Sequence, residues 1–394
     1  MAEYVRTMKK ESVTVNSENA FHEGLEDVIA AESSICFIDG KNSKLAYRGY
    51  DIHDLAAKST FEETAYLLLH GKLPSKKELE GFCAAIAAER ALPEGVTKLL
   101  SSFPKNAHPM AVLRSAVSVL AFFDAESEDK SEPANFRKAV RLIGKIPTII
   151  AAFERLRHGQ PVLDPKKDAS WSTARNFLYM LKGSEATAVE NAMLDKYFIL
   201  LAEHDLNAST FTARITASTT SDIYSAVSAA VGTLKGDLHG SANTRTMESL
   251  LAIGDVNRVD SFVDEALREK KKIMGFGHRI YKGPDPRAAD LQEMARTLAA
   301  SNAAQAKWYA ISEKLEKAVW EKKKLNCNVD FYSASVLYTL GVPVDLFTTL
   351  FAISRMAGWT AHVLEQYRHN RLIRPVSLYT GATHQTYVPI QDRS

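Results

Sequence analysis

Apolar residues recur at helical spacing along most of this chain, and that periodicity limits what the chain can fold into more than any other feature. Prolines, glycines and short hydroxyl residues stand where helices need to begin or end. Pro109 begins one apolar stretch, and Pro147 separates two others at residues 134–145 and 148–159. The sequence therefore predicts an all-α protein of short helices joined by tight turns. A longer apolar helix is predicted from about Asp345 to Tyr367.

One stretch near the start of the chain has the character of β structure. The segments ICFI (residues 35–38) and KLAY (residues 44–47) are short and apolar, and they flank the turn-forming residues DGKNS at 39–43. This arrangement is typical of a hairpin. We therefore expect a mainly helical, two-domain fold with a small N-terminal β-hairpin.

The length of 394 residues predicts two domains, because a single hydrophobic core stops growing near ~250 to 300 residues. Residues 236–344 differ from the rest in their glycine-containing loops, lysine-rich tract and solvent-facing helices. We assign them to a small helical domain. Residues 1–235 and 345–394 form the predicted large helical domain.

Charge and cysteine content argue against several classes of protein. Lys and Arg number 49 against 47 Asp and Glu, so the formal charge of +2 gives no reason to expect a nucleic-acid or membrane partner. The three cysteines are widely spaced, which disfavours both a disulfide framework and a thiolate zinc site. No apolar run reaches ~18 residues, and the first residues are polar. These features predict a cytoplasmic location.

Three of the eleven histidines stand in contexts that surface histidines rarely show. His204 follows an apolar helical stretch, whereas His239 and His278 lie beside glycines. His239 precedes a predicted helix, whose N-terminal partial charge keeps the imidazole neutral and able to donate a hydrogen bond to a developing oxyanion. The alternative, that His239 only satisfies loop carbonyls, is equally open on these grounds.

Residues 270–287 combine many cations with the flexible turn Gly275-Phe276-Gly277. Glycine lets the main chain approach phosphate oxygens, and Asp285-Pro286-Arg287 has the pattern of a helix start with free amides. This pattern predicts a site for a phosphate-bearing cofactor, with a solvated lysine run as the alternative for part of it. The cations are Lys270, Lys271, Lys272, Arg279, Lys282 and Arg287.

Asp330 and two arginines complete the candidates. Asp330 is either a helix N-cap or a carboxylate base made more basic by apolar neighbours. Arg355 lies on an apolar helix, so it either reaches the surface or meets a carboxylate, internal or ligand-borne, that its planar fork can hold. Arg374 precedes Pro375 in an extended segment and is a second candidate clamp.

Several of these segments, taken together and in this order, resemble the citrate synthase family. They are LKGDLHGSAN, IMGFGHRIYKGPDPRA, NVDFYS and LFAISRMAGWTAHVLEQ with RLIRPVSLYTG. GLEDVIAAESSICFIDGKNSKLAYRGYDIHDLA and AEHDLNASTF extend the resemblance to nearly the whole chain. The resemblance implies a homodimer, formed by the large domain, in which two domains close over the substrates. It also implies a transferase of the tricarboxylic acid cycle.

The resemblance implies a role for each candidate residue. The catalytic trio is His239, His278 and Asp330. The oxaloacetate-binding residues are His204, Arg287, Arg355 and Arg374, the last donated by the partner subunit. The coenzyme A-binding residues are Lys272, Ile273, Met274, Gly275, Phe276, Arg279 and Lys282.

The implied reaction condenses acetyl-CoA with oxaloacetate and water to give citrate and coenzyme A. Asp330 removes a methyl proton while His239 donates to the thioester oxygen, and an enol or enolate forms. His278 polarises the ketone of oxaloacetate, and the resulting citryl-CoA is hydrolysed. The coenzyme A thioester is a co-substrate, and no metal or tightly bound cofactor is implied.

Four positions depart from the family pattern. Asp237, Ser241 and Thr244 replace its proline, second glycine and glutamate around His239, and Ala334 replaces a glycine. Ser241 removes backbone freedom, and the charge of Asp237 would raise the pKa of His239. Reduced activity is therefore one of the alternatives that the sequence leaves open.

Three alternatives stay open on the sequence. The first is 2-methylcitrate synthase, which uses propionyl-CoA by the same chemistry. The second is a family member with little activity and an assembly role. The third is a metalloenzyme with His204, His239, His278 and Asp330 as ligands, which the surrounding basic residues disfavour.

Overall fold

A computed structural model describes residues 21–393, and these contain sixteen α-helices and one small sheet. By their contacts they form two units. The larger unit, Ser33–Leu372, contains all sixteen helices and the sheet. The smaller unit contains residues 21–32 and 373–393, with 3₁₀ turns at Glu23–Leu25 and Ile390–Asp392. The all-α prediction is confirmed, whereas the domain boundaries at 235/236 and 344/345 stay a prediction.

The bounds of the elements are as follows. The strands are β1 (Cys36–Asp39), β2 (Lys44–Tyr47) and β3 (Tyr50–Asp51). The helices are α1 (Ile52–Lys58), α2 (Phe61–His70), α3 (Lys76–Ala88), α4 (Glu94–Ser102), α5 (Pro109–Leu120), α6 (Glu132–Arg157), α7 (Thr173–Lys182), α8 (Ala188–Leu201), α9 (Ala208–Ser218), α10 (Ile223–Leu234), α11 (Ala242–Ile253), α12 (Val259–Arg268), α13 (Pro286–Ser301), α14 (Ala306–Lys323), α15 (Val329–Thr339) and α16 (Phe347–Arg368).

Local capping explains where many of these helices begin and end. At the start of α3, the Ser75 hydroxyl accepts from the Glu78 amide while the Glu78 carboxylate accepts from the Ser75 amide. Such a cap contributes about 0.5–2 kcal/mol to the stability of a helix. Helices α2 and α7 end at Gly71 and Gly183, both in the left-handed conformation.

The predicted hairpin is confirmed. Strands β1 and β2 pair antiparallel, with Cys36 opposite Tyr47 and Asp39 opposite Lys44. The sequence did not reveal β3, whose two residues add a third strand beside β2. Two residues are too few to show the alternation by which strands are detected.

The prediction that Pro147 separates two helices is wrong. Helix α6 runs unbroken through Pro147 for 26 residues. A proline inside a helix costs about 3 kcal/mol, because it removes a donor and its ring clashes with the carbonyl four residues before it. The side chains of Ile143, Ile146 and Ile149 are buried around it, and burial of each such side chain contributes roughly 1.5–3 kcal/mol. Tertiary burial therefore outweighs the local penalty.

Helix α16 is the central element of the larger unit. It packs against α2, α6, α8, α9 and α10, and nearly all of its side chains are buried. The structure places its start at Phe347, after a 3₁₀ turn at Val344–Leu346. Within residues 21–393, no helix is both long and apolar enough to cross a membrane.

Candidate active site

Most candidate residues of the larger unit lie where helices begin or end, and Arg355 lies within α16. His204, His239 and His278 lie in the connections α8–α9, α10–α11 and α12–α13, while Arg287 and Asp330 occupy the first turns of α13 and α15. They are close enough for charge to act between them. The charge of Arg287 adds to burial in lowering the pKa of His278 and opposes burial at Asp330. The rings of His204 and His278 lie 5.4 Å apart between centroids.

His239 is held in one tautomer by α9. The Ser209 amide donates to its Nε2 at 3.3 Å, and the Ser209 hydroxyl lies 2.8 Å from the same nitrogen. Because Nε2 accepts, Nδ1 carries the proton of the neutral ring. Burial, and then the charge of Arg355, lower the pKa of His239 to about 4. The imidazole is therefore a neutral donor at pH 7, for reasons of burial more than of helix charge.

The expectation that Asp237 raises the pKa of His239 is wrong. The Asp237 carboxylate is exposed and lies 3.8 Å from Arg245, while the pKa of His239 is lowered. Water screens an exposed charge, so burial of the ring outweighs it. Ser241 has φ −87°, which requires no glycine, and its hydroxyl donates to the Lys235 carbonyl at 3.1 Å. The loop around His239 therefore accommodates these two departures.

His278 is held in the opposite tautomer by its own loop. Its Nδ1 accepts from the amides of Ile280 at 3.0 Å and Tyr281 at 3.2 Å. Nε2 therefore carries the proton. Burial and Arg287 lower the pKa of His278 to about 4, so this imidazole is also neutral at pH 7. The neighbouring His204 lies with Nε2 3.2 Å from the Tyr281 hydroxyl, and burial lowers its pKa as well.

Arg287 is already paired inside the protein. Its Nε and Nη2 donate to the two carboxylate oxygens of Asp285 at 3.0 and 2.8 Å. Burial opposes the charge of Arg287, but Asp285 outweighs it and raises the pKa of the guanidinium. Asp285 also accepts from the Val329 amide at 3.1 Å and so ties α13 to α15. Sequence reasoning placed Asp285 at a helix start but did not find this role.

Arg355 is buried in α16, and within residues 21–393 its guanidinium forms no ion pair with a carboxylate. Its Nε donates to the Leu201 carbonyl at 2.8 Å, and its guanidinium lies 4.8 Å from the centre of the Phe351 ring. Among the described residues, no carboxylate lies within 4.0 Å of it. Burial lowers its pKa, although Glu203 acts in the opposite direction. Of the alternatives that the sequence left open, a ligand-borne carboxylate fits this arrangement best.

Asp330 is not the N-cap of α15. Asn328 is the cap, and its side-chain oxygen accepts from the Asp330 amide at 3.0 Å. Oδ1 of Asp330 is buried and has no hydrogen-bond partner within residues 21–393. Burial raises the pKa of Asp330 to about 7, although Arg287 acts in the opposite direction. A carboxyl group with this pKa can serve as a base near neutral pH.

The glycine turn at residues 275–277 lies beside this carboxyl group. Gly275 has φ +84°, and its carbonyl accepts from the Asn328 amide at 2.9 Å. The rings of Phe276 and Phe331 lie 4.6 Å apart. The other predicted coenzyme A-binding side chains are half-buried at Ile273 and Met274 and exposed at Lys272, Arg279 and Lys282. Cations at the surface and buried main chain near Asp330 are what a long phosphate-bearing thioester would need.

Two further predictions concern Arg374 and a metal. Arg374 is exposed and belongs to the smaller unit, so its predicted place at the site stays a prediction. Among the residues that the structure describes, no group of three or more His, Cys, Asp or Glu side chains is placed to hold a metal ion. The four ligands of the metalloenzyme alternative therefore do not form such a group.

Comparison with known proteins gives the family. A family model described as "Citrate synthase, C-terminal domain" matches residues 24–376. The chain belongs to the citrate synthase family. It is 48% identical to "Citrate synthase 2" of Bacillus subtilis (strain 168), over 94% of this chain and 99% of that protein. It is 41% identical to the 2-methylcitrate synthase of Shewanella oneidensis, over 94% of this chain and 97% of that one.

A solved structure agrees with this membership. The citrate synthase of Thermoplasma acidophilum, in a ternary complex with carboxymethyl coenzyme A and oxaloacetate, matches with a TM-score of 0.89. It is 33% identical, and the match covers 95% of this chain and 100% of that one. As a member of the citrate synthase family, the chain is an enzyme that transfers an acyl group.

Proposed function

We propose that this member of the citrate synthase family condenses acetyl-CoA with oxaloacetate and water to give citrate and coenzyme A. The observation on which this rests is a buried carboxyl group and a neutral imidazole that both lie close enough to Arg355 for its charge to act on them. Asp330 has a pKa of about 7 and His239 one of about 4, and both respond to the charge of Arg355. At neutral pH one is a base and the other an uncharged donor.

The first step is removal of a methyl proton from acetyl-CoA by the Asp330 carboxylate. Nδ1–H of His239 donates to the thioester oxygen, so the charge that develops there meets a donor already in place. The Ser209 amide fixes this donor, because it occupies Nε2. The enol or enolate that forms is the carbon nucleophile of the second step.

The second step is attack on the ketone of oxaloacetate. Nε2–H of His278 donates to the ketone oxygen, since the Ile280 and Tyr281 amides occupy Nδ1. Arg355, whose fork no internal carboxylate occupies, binds a substrate carboxylate in two-point fashion. Arg287 and His204 bind the rest of oxaloacetate. Citryl-CoA is the product of this step, and its hydrolysis by water releases citrate and coenzyme A.

The remaining sequence predictions belong to the same proposal. The thioester binds through Lys272, Arg279, Lys282 and the main chain of residues 273–276, as a co-substrate and with no tightly bound cofactor. The protein acts as a homodimer in which the partner subunit supplies Arg374. A cytoplasmic location also stays a prediction.

The second candidate is 2-methylcitrate synthase, which the similarity to the Shewanella protein keeps open. Propionyl-CoA is one methylene longer than acetyl-CoA. One methylene changes selectivity by only roughly 1–3 kcal/mol, so the pocket decides between the two acyl groups. A third candidate, an assembly role with little turnover, loses one of its grounds because Asp237 does not raise the pKa of His239.

Release of free thiol from each acyl-CoA, with and without oxaloacetate, tests this proposal. We expect rapid release that requires oxaloacetate and is faster with acetyl-CoA than with propionyl-CoA. Faster release with propionyl-CoA would assign the 2-methylcitrate reaction. No oxaloacetate-dependent release with either thioester would contradict both and favour the assembly role.

A further inference from the structure

The turn of the β-hairpin has no part in the proposed reaction, yet it lies directly against the loop that contains His278. The Lys282 amide donates to the Gly40 carbonyl at 3.0 Å. A β-carbon at Gly40 would lie 2.5 Å from the Ile280 carbonyl oxygen, and one at Gly283 would lie 2.7 Å from the Ser43 hydroxyl. The two segments are far apart in sequence, and their backbones meet at a separation that side chains would prevent.

The loop residues that touch the turn are also those that hold the His278 ring. Ile280 faces Gly40 through its carbonyl and donates to Nδ1 of His278 through its amide at 3.0 Å. Tyr281 donates to the same nitrogen at 3.2 Å, and its hydroxyl lies 3.2 Å from Nε2 of His204. A displacement of Ile280 therefore moves the ring of His278. It also moves the adjacent Tyr281, whose hydroxyl is the hydrogen-bond partner of His204.

The turn itself is held by its own hydrogen bonds. Oδ1 of Asp39 accepts from the amides of Lys41 and Asn42, both at 3.1 Å, and Oδ2 accepts from the Asn42 side chain at 2.6 Å. A second tie lies nearby, because Nδ1 of His53 on α1 lies 2.6 Å from the Asp290 carboxylate on α13. The hairpin is thus a firm surface for the His278 loop to rest on.

We propose that the hairpin turn, through Gly40, is a positioning surface that sets where His278 meets the ketone of oxaloacetate. The inference rests on the proposed function, because the ketone is the group that His278 is proposed to polarise. Gly40 touches no substrate and acts only through Ile280. Its small size is the property that matters, since it lets the loop approach until His278 reaches its working place.

Gly40→Ala tests this inference. The φ of Gly40 lies outside the left-handed region, so alanine brings no backbone strain of its own and acts only through its β-carbon. To reach an ordinary contact of 3.4 Å from 2.5 Å, one backbone must move by about 0.9 Å. A misplacement of about 1 Å can reduce a rate by on the order of 10²-fold. We expect kcat to fall by about 10- to 100-fold. KM for oxaloacetate should rise by more than KM for acetyl-CoA, because the ring of His278 is moved directly, whereas Arg279 and Lys282 reach the thioester through long flexible side chains.

Gly81→Ala is the matched control. Gly81 lies on α3 with no atom within 4 Å of an added β-carbon and no left-handed φ, so the rates of this variant should equal those of the wild type. Its melting temperature should be equal or slightly higher, because alanine favours a helix interior over glycine by about 0.5–1 kcal/mol. Hydrogen exchange supplies a second readout. The amides of Ile280, Tyr281 and Lys282 should exchange faster in Gly40→Ala and at the wild-type rate in Gly81→Ala.

Wild-type kinetics in Gly40→Ala would overturn the inference, as would an equal rise in both KM values, or lost activity without faster exchange at the loop. If the wild-type protein releases no thiol, the proposed function fails, and the exchange comparison alone then decides whether the turn holds the loop.

If Gly40→Ala does not fold, Gly283→Ala takes its place. Its β-carbon would lie 2.7 Å from the Ser43 hydroxyl, which can rotate away, so activity should fall by less than in Gly40→Ala, and adding Ser43→Ala should restore it. No restoration would count against the inference.

Discussion

Burial gives Asp330 its basicity and makes its ionisation costly for the folded state. Its pKa is about 7 in the fold, against about 3.9 for an unperturbed aspartate. Between these pH values the folded protein holds a proton that the unfolded chain has lost. The contribution of Asp330 to stability therefore falls as pH rises from about 4, and the loss is complete above about 7. The charges of Arg287 and Arg355 only partly offset burial, and the charge of Asp285 adds to it.

Asp330→Asn should separate these two effects. Without the base, turnover should fall by roughly 10²- to 10⁴-fold while oxaloacetate still binds. The melting temperature should rise at pH 8, where the wild type has a buried charge, and change little at pH 5, where the group is protonated. Calorimetry at both pH values tests this, with Asp237→Asn as a control for an exposed carboxylate. An unchanged rate, or an equal gain in melting temperature at both pH values, would remove Asp330 from the role of base.

Arg355→Leu should weaken oxaloacetate binding. The leucine fills the buried site but cannot donate, and a hydrogen bond to a charged group contributes about 1.5–3 kcal/mol. The dissociation constant of oxaloacetate should rise by about 10- to 150-fold, as isothermal titration would measure. Arg371→Leu changes an exposed arginine and is the matched control. Unaltered affinity in a folded Arg355→Leu protein would contradict the proposed clamp.

The site residues that can be recognised from the sequence alone are those whose type is unusual for the segment around them. A histidine between glycines or an arginine on an apolar helix, such as His239 or Arg355, is visible in isolation. Ser209 and Asp285 are not, because each acts on a residue far along the chain: Ser209 on His239, and Asp285 on the amide of Val329. Their roles arise only when separate helix ends meet, so local pattern could not supply them.

At the scale of elements, a buried polar network joins α9 to α16. Arg214 on α9 donates to Glu365 at 2.6 Å, to His362 at 3.0 Å and to Gln366 at 3.0 Å, all on α16. Nε2 of His362 in turn lies 3.1 Å from the Glu203 carboxylate, beside His204. Because the arginine occupies Nδ1 of His362, the ring donates to Glu203 through Nε2. The network therefore links helix packing to the wall of the site.

Arg214→Met should be destabilising, because Glu365, which is half-buried, loses its cation and keeps the hydrogen bonds from the amide and hydroxyl of Ser34. Removal of one partner of a fully buried pair costs about 3–5 kcal/mol, and the cost here should be smaller because water reaches Glu365. Chemical denaturation should show this loss in the free energy of unfolding, and adding Glu365→Gln should recover part of it. The control is Arg296→Met, which breaks an exposed pair with Glu293 and should cost less than about 1 kcal/mol. A similar cost for both single variants would mean that the network adds no stability.

Elements show the same limit on prediction as residues do. The hairpin and the start of α13 follow from local turn and cap residues, and the sequence predicted both. The continuous α6 did not follow, because buried isoleucines around Pro147 outweigh a local rule that favours a break. Local signals thus predict where helices begin more reliably than whether burial carries a helix past a proline.

At the scale of the whole molecule, the smaller unit exposes apolar side chains in its C-terminal segment. Val376 is 80% exposed, Tyr387 80% and Ile390 72%. Apolar surface of this kind in one segment is typical of a place where another chain binds. Arg374 lies in the same segment, so the proposed homodimer would bring this segment to the partner subunit. Two-fold symmetry would then complete both sites in the same way.

Mixing two inactive variants should test this arrangement. Asp330→Asn lacks the base and Arg374→Leu lacks the donated cation, so each homodimer should be inactive. A heterodimer of the two has one site with both native residues, so exchanged equal mixtures should recover about a quarter of wild-type activity. Asp330→Asn mixed with Arg355→Leu is the control, because one subunit supplies both residues of a site. In that heterodimer each site has one of the two substitutions, so the control mixture should recover no activity. It would recover activity only if Arg355 were also donated by the partner subunit. Recovery in the mixture of Asp330→Asn with Arg374→Leu, and not in the control mixture, therefore supports donation of Arg374. No recovery in either mixture would place Arg374 in the site of its own subunit.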